Sequence, residues 1–173
     1  KSQGKRTKDL SVTAENSADS TSMAEFKRQK RYRLMWMDTK YEPGTVKVVA
    51  YNEKGEAVAE TEVHTAGKPS RIELSADGED LAFVTVKVVD KDGNLCPDAA
   101  EKLKFKVSGA LAYRAACNGD PTCLEQFHLP QMTTFSGMLV VVVQSQEVAG
   151  LGKLTVSGKG LKSASIEIES TSK

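Results

Sequence analysis

The chain is poor in the residues that hold metals and perform hydrolysis: two histidines, three cysteines and a single tryptophan in 173 residues. Tetrahedral zinc needs four thiolate, imidazole or carboxylate ligands brought together. Cys117 and Cys123 have five residues between them, with no further Cys at ligand spacing, and His64 and His128 lie in unrelated segments. No cofactor is expected. No apolar run reaches the roughly 18 residues that cross a bilayer as a helix, so no membrane span is predicted. Charge of neither sign dominates, with 24 Lys and Arg against 23 Asp and Glu for a net +1, which removes any global attraction to nucleic acid. The local cluster Lys27, Arg28, Lys30, Arg31 and Arg33 reads as a solvated face. The opening Lys1-Ser2-Gln3-Gly4-Lys5-Arg6 has neither an initiator methionine nor an apolar leader core, and it predicts a piece cut from a longer precursor.

Catalytic constellations are missing as well. Asp90-Lys91-Asp92-Gly93-Asn94, with Glu101 beyond it, has the acidic look of a calcium loop, but its glycine is fourth where the loop needs it sixth, and a hairpin turn is the better reading. Asn52-Glu53 is the kind of pair that sits at a strand end in many retaining glycosidases, where two carboxyl groups face each other about 5 Å apart. Here Gly55 follows in a tight hairpin, which points both side chains into solvent. His128 and Ser136 have no Asp partner in a nucleophile motif, and the glycines form no phosphate-cradling loop. Cys117 and Cys123 bracket a turn-rich pentapeptide. Two readings stay open: a disulfide between them with Cys96 unpaired, or three reduced thiols.

What is present is strand grammar. Apolar residues make up 39% and charged residues 27%, ordinary for a globular chain. The length exceeds the about 100 residues of one small sandwich and falls short of the about 250 of an α/β barrel. Residues 1–30 are polar and aperiodic, with a helical turn or two at most over Met23–Lys30, and weak order is expected there. From Tyr32 the pattern alternates, Tyr32, Leu34 and Trp36 on one face and Arg33, Met35 and Met37 on the other. After the Tyr41-Glu42-Pro43-Gly44 turn a strand runs through Val46, Val48 and Ala50, turns at Asn52–Gly55, and returns through Ala57–Val63. Thr65-Ala66-Gly67-Lys68-Pro69 is the expected domain boundary. Beyond it, β-rich runs at 71–74, 81–90, 102–108, 110–117, 135–144, 151–157 and 164–169 predict a seven-stranded immunoglobulin-type sandwich. In it Gly137–Val143 is apolar enough for a central strand buried on both faces.

Sugar rings pack on exposed aromatic rings. Trp36 shares its face with Tyr32 and Leu34 and reads as core. By elimination Tyr51 and Tyr113 are the candidate carbohydrate contacts, together with Asn118 and Asp120 as rim polar groups.

Tyr32-Arg33-Leu34-Met35-Trp36, Tyr41-Glu42-Pro43-Gly44-Thr45-Val46-Lys47-Val48-Val49-Ala50-Tyr51, Thr65-Ala66-Gly67-Lys68-Pro69 and Asn118-Gly119-Asp120-Pro121-Thr122 followed by Phe135-Ser136-Gly137 occur in one order. In that order they resemble the C-terminal region of bacterial glycoside hydrolase family 2 β-galactosidases of the Bacteroides type. The resemblance runs over nearly the whole chain. It implies an all-β architecture, with 1–66 the latter part of one immunoglobulin-like domain and 67–173 a complete second one. It implies a parent that hydrolyses terminal β-galactosides with retention, using two glutamates on a barrel N-terminal to everything here, so no catalytic residue carries over and the fragment itself is expected to be inert. The expected role is an accessory region packing against or spacing the barrel of a periplasmic or secreted enzyme, its partners the parent's other domains. A carbohydrate-binding module that takes glycans and an adhesin-like spacer are the competing readings. A first domain without its leading strands also predicts self-association through exposed strand edges, or disorder over 1–30.

Overall fold

The computed structural model describes Gly4, Trp36 and residues 39–78, 81–146 and 148–170. The weak order expected over 1–30, the helical turn within it and the strand through Tyr32–Met37 lie outside the described residues, apart from Trp36, which is half-buried. The chain divides into two compact units, Lys1–Pro43 and Gly44–Lys173.

In the second unit, β1 (Thr45–Tyr51) and β2 (Ala57–His64) form an antiparallel hairpin. Its turn is built by one side chain: the Asn52 Oδ1 accepts the backbone N–H groups of Lys54 (3.0 Å) and Glu56 (2.9 Å), while Gly55 supplies the positive φ of 82°. Register places Val46 opposite Val63, Val48 opposite Thr61 and Ala50 opposite Ala59, a set on one face that is apolar apart from Thr61. On the other face Lys47 pairs with Glu60 at 2.9 Å.

The remaining strands are β3 (Arg71–Asp77), β4 (Leu81–Val89), β5 (Lys102–Gly109), β6 (Leu111–Cys117), β7 (Gln131–Thr133), β8 (Met138–Ser145), β9 (Gly150–Gly158) and β10 (Ala164–Ser170). They make two antiparallel sheets of order β3-β4-β8-β6 and β10-β9-β5-β7. With the short β7 set aside and the others lettered A to G, the orders are A-B-E-D and G-F-C, the constant-type immunoglobulin arrangement. As the pattern predicts, the architecture is an all-β, immunoglobulin-like sandwich. A parallel bridge from Arg71 to Lys162, with Ile72 N–H donating to the Lys162 carbonyl at 3.2 Å, ties the start of β3 beside the start of β10.

Alternation decides which side chains enter. Val84, Val86 and Val88 of β4 and Leu139, Val141 and Val143 of β8 face Leu103 and Phe105 of β5 and Leu154 and Val156 of β9, all buried. Fully burying a side chain of this size stabilises by about 1.5–3 kcal/mol. At Gly152 of β9 the two sheets come so close that a Cβ would fall on the Leu111 side chain.

Three expectations shift. β8 begins at Met138, not at Phe135. Ser136 (φ 50°) and Gly137 (φ 73°) form the two-residue turn that joins Phe135 to Met138, and positive φ at both central positions is what such a hairpin turn requires. β7, three residues in register with the start of β5, had too little pattern to be expected. β8 is central as expected, yet only its inward residues are buried: Val140 and Val142 on the outward face are half-buried, because no second layer of the described residues covers that side.

Candidate functional site

Between β6 and β7 the chain makes a long irregular connection, and its order comes from side chains acting as backbone surrogates. The Asn118 Oδ1 accepts the Asp120 N–H (3.0 Å) and its Nδ2 donates to the Thr133 carbonyl (3.0 Å). Asp120 in turn accepts the Thr122 hydroxyl (2.7 Å) and N–H (2.8 Å), and these bonds hold its carboxyl below the usual range. Glu125 accepts the Thr133 N–H at 3.1 Å and pairs with Lys102 at 3.5 Å, and it too is held low, by Thr133 first. Tyr113 fastens the loop from below. Its single hydroxyl proton lies between the carbonyls of Phe127 (2.9 Å) and Leu129 (2.6 Å), and its ring stacks on Phe105 with centroids 6.1 Å apart. Ala116 N–H of β6 donates to the Phe127 carbonyl at 2.8 Å, so the loop runs along the open edge of β6.

Between this loop and the outward side of β6 lies a shallow depression of about 480 Å³, lined by Arg114, Ala115, Cys123, Leu124, Phe127 and His128 among others. Leu124 stands 96% exposed beside it.

The residues singled out from sequence scatter. Tyr51 is exposed on β1 of the hairpin, whereas Tyr113, Asn118 and Asp120 belong to β6 and its loop. Of those three, the Tyr113 ring is engaged with Phe105, and the polar groups of Asn118 and Asp120 are engaged in building the turn. Cys96, Cys117 and Cys123 are unbridged in the structure, buried, exposed and half-buried in that order. Cys117 ends β6 opposite Val140, while Cys123 belongs to the wall of the depression. Asn52 and Glu53 are exposed turn residues, His64 bonds Thr45 and Glu62, and Ser136 sits in the turn before β8.

Asp90 is the residue whose part the sequence did not disclose. Only 2% exposed, its carboxylate accepts N–H groups from Gly67 (2.7 Å), Asp92 (2.9 Å), Asn94 (2.9 Å) and the Asn94 amide (3.1 Å). Four donors around a carboxylate are the reverse of a cation site, and they hold it ionised far below the ordinary range, the Gly67 bond foremost. Arg71 clamps the same turn through the carbonyls of Asp90 and Lys91, both at 2.9 Å. The signal was the Asp-x-Asp-Gly-Asn turn at a strand end, legible as a turn but silent about its reach back to Gly67.

Among known proteins, residues 67–167 match the family model for the glycoside hydrolase family 2 C-terminal domain 5, and residues 1–59 match a domain of unknown function, DUF4982. A beta-galactosidase, BoGH2A, of Bacteroides ovatus is 45% identical over 136 residues, covering 75% of this chain and 16% of that protein. Among solved structures, a family 2 glycosyl hydrolase of Bacteroides cellulosilyticus superposes with a TM-score of 0.71 at 30% identity, over 77% of this chain and 18% of that one. A beta-glycosidase of Bacteroides vulgatus gives 0.69 at 31% identity, over 75% of this chain and 18% of that one. The chain thus spans about one sixth of the length of the curated relatives it matches, 16% and 15%. A sandwich of A-B-E-D and G-F-C order, with its loop and Asp90 turn inside a family match over more than half the chain, bears out the resemblance read from the segments: this chain belongs to the glycoside hydrolase family 2 C-terminal domain 5 family.

Proposed function

We propose that this chain is a non-catalytic accessory region of a larger family 2 β-galactosidase, its sandwich packing against or spacing the catalytic barrel. The carrying observation is the 45% identity to a β-galactosidase of which the matched stretch is 16%. A protein of Formosa agariphila named a beta-glucuronidase is only 26% identical, which favours β-galactosides as the parent's substrates. The chemistry of the chain agrees. A general acid in a retaining glycosidase needs a carboxyl raised toward neutrality, and the shifted carboxyls among the described residues, Asp90, Asp120 and Glu125, are all lowered.

Residues 1–66 are in this reading the closing part of a preceding immunoglobulin-like domain. The exposed apolar row of Val46, Val48 and Val63 supports it, as a sheet face made to be covered. The test is hydrolysis of a chromogenic galactoside paired with calorimetric titration of galactose and lactose. The chain alone should give neither turnover nor heat, and the parent lacking this region should melt earlier while keeping its kcat per folded molecule. Turnover by the chain alone would overturn the reading. Saturable binding without turnover would make the chain a carbohydrate-binding module instead.

A further inference from the structure

The β1–β2 hairpin and the sandwich belong to different family matches, residues 1–59 and 67–167, so the short segment between them joins two modules. Modules joined by a stretch of chain move relative to one another by default, and that motion needs a few residues whose backbone is free to turn. This segment has almost none. The hairpin is closed at its open end by two bonds, the Thr65 N–H donating to the Gly44 carbonyl at 2.8 Å and the Gly44 N–H donating to the Thr65 hydroxyl oxygen at 3.0 Å. The very next residue already belongs to the sandwich, because Ala66 packs against its core. Gly67 is then held on both sides: its N–H donates to the Asp90 carboxylate at 2.7 Å, and its carbonyl accepts the Cys96 thiol at 3.6 Å. Ser70 continues the attachment, its N–H donating to the Val89 carbonyl and its carbonyl accepting the Lys162 N–H, both at 2.9 Å. Lys68 and Pro69 span the gap between these ties, and the proline ring fixes one of their φ angles.

Asp90 is what gives the segment a fixed point. It follows directly on β4, is 2% exposed, and is itself immobilised by the Asp92 and Asn94 N–H groups and the Asn94 amide. Arg71, the first residue of β3, holds the Asp90 carbonyl at 2.9 Å. The acceptor for Gly67 is thus tied to β4, to its turn and to β3. An N–H bond to a carboxylate is shorter and stronger than one to a neutral acceptor, and of the ties on the segment this is the one that carries a charge.

We infer that this joint is rigid and that Asp90 is its lock: through Gly67 the carboxylate fixes the direction in which the hairpin leaves the sandwich, and the two turn as one body. Hairpin and sandwich accordingly fall in one compact unit, Gly44–Lys173. Asp90 is a positioning residue in this account, acting on the neighbouring module through one backbone N–H. The inference goes beyond the accessory reading and does not depend on it, since the bonds that make the joint all lie within this chain.

The experiment is NMR of the full chain in a weakly aligning medium, with residual dipolar couplings read for the amides of β1 and β2 and, separately, for those of β4, β5, β8 and β9. The expected result is a single alignment tensor that fits both sets. In Asp90→Asn the sandwich amides should keep their own fit while the hairpin couplings shrink toward zero, so that one tensor no longer serves. Gly67→Pro removes the donor at the joint and leaves Asp90 its bonds from Asp92 and Asn94; it should act in the same way, and it carries the test if Asp90→Asn fails to fold. The cross-strand NOE between Val48 and Thr61, opposite each other in the hairpin, should persist in both variants. Two tensors in the unaltered chain would overturn the rigid joint. One tensor surviving in either variant would overturn Asp90 as its lock. Loss of the Val48–Thr61 NOE together with the couplings would make Asp90 a support of the hairpin's own fold and overturn the joint as well.

Discussion

The Asp90 carboxylate accepts the Gly67 N–H at 2.7 Å, joining the segment that leads into the sandwich to the turn that ends β4, 23 residues further on. A folded-state carboxyl depressed below its ordinary value of 3.8 contributes stability that is fully present above that value and lost as pH falls through it toward the folded one. Asp120 and Glu125, both lowered, act in the same sense. The melting temperature should therefore hold steady through neutral pH and decline below about pH 4. Asp90→Asn should melt lower at pH 7 and decline less in acid, as read by calorimetry across pH. Identical acid slopes for the two proteins would remove Asp90 from the account.

Thiol reactivity should follow burial. Cys117 is exposed, Cys123 half-buried and Cys96 buried, with its thiol pushed up by desolvation and then by the Asp90 charge. Under native conditions a chromogenic thiol reagent should modify Cys117 first, Cys123 more slowly and Cys96 only after denaturant is added. A native count of zero, with one thiol released by denaturant and three only after reduction as well, would show that Cys117 and Cys123 are joined.

Tyr113→Phe keeps the ring on Phe105 and removes both hydroxyl bonds to the loop. One donated proton, shared between the two carbonyls, is lost, at a net cost of about 0.5–1.5 kcal/mol. The specific reporter is the amide of Ala116, whose carbonyl partner Phe127 is one of the two positions released. Its hydrogen exchange should quicken while the amides between β4 and β8 keep their protection.

Two core substitutions bracket the packing. Leu103→Ala leaves a hole under a fully buried residue and should cost about 2–5 kcal/mol. Gly152→Ala adds a Cβ where Leu111 already stands and should cost about 1–3 kcal/mol by overpacking. Chemical denaturation measures both.

Strands with clean alternation were legible from sequence because burial on one face writes itself at period two: Leu81–Val89 and Lys102–Gly109 fall within a residue of expectation. Phe135–Gly137 was read as strand because its apolar and small residues carry no sign of the positive φ at Ser136. Three-residue β7 has no period to read. The loop after β6 showed Asn-Gly-Asp-Pro-Thr as a turn, but its anchoring by Tyr113 joins residues 14 and 16 positions apart through backbone carbonyls, which every residue has and no composition reveals. The Asp90 bond to Gly67 was hidden for the same reason. Tyr51 and Tyr113, paired by elimination as sugar contacts, fall on different sheets because aromatic count says nothing about where the register will turn each ring.

The parallel bridge between Arg71 and Lys162 sets the direction of traffic through the sandwich. Because β3 and β10 start side by side and run the same way, the chain enters at one pole and leaves at the other, about 23 Å further along for seven-residue strands. Tension applied along the backbone would then load the hydrogen bonds at Ser70, Ile72 and Lys162 in shear, together, instead of opening them one after another.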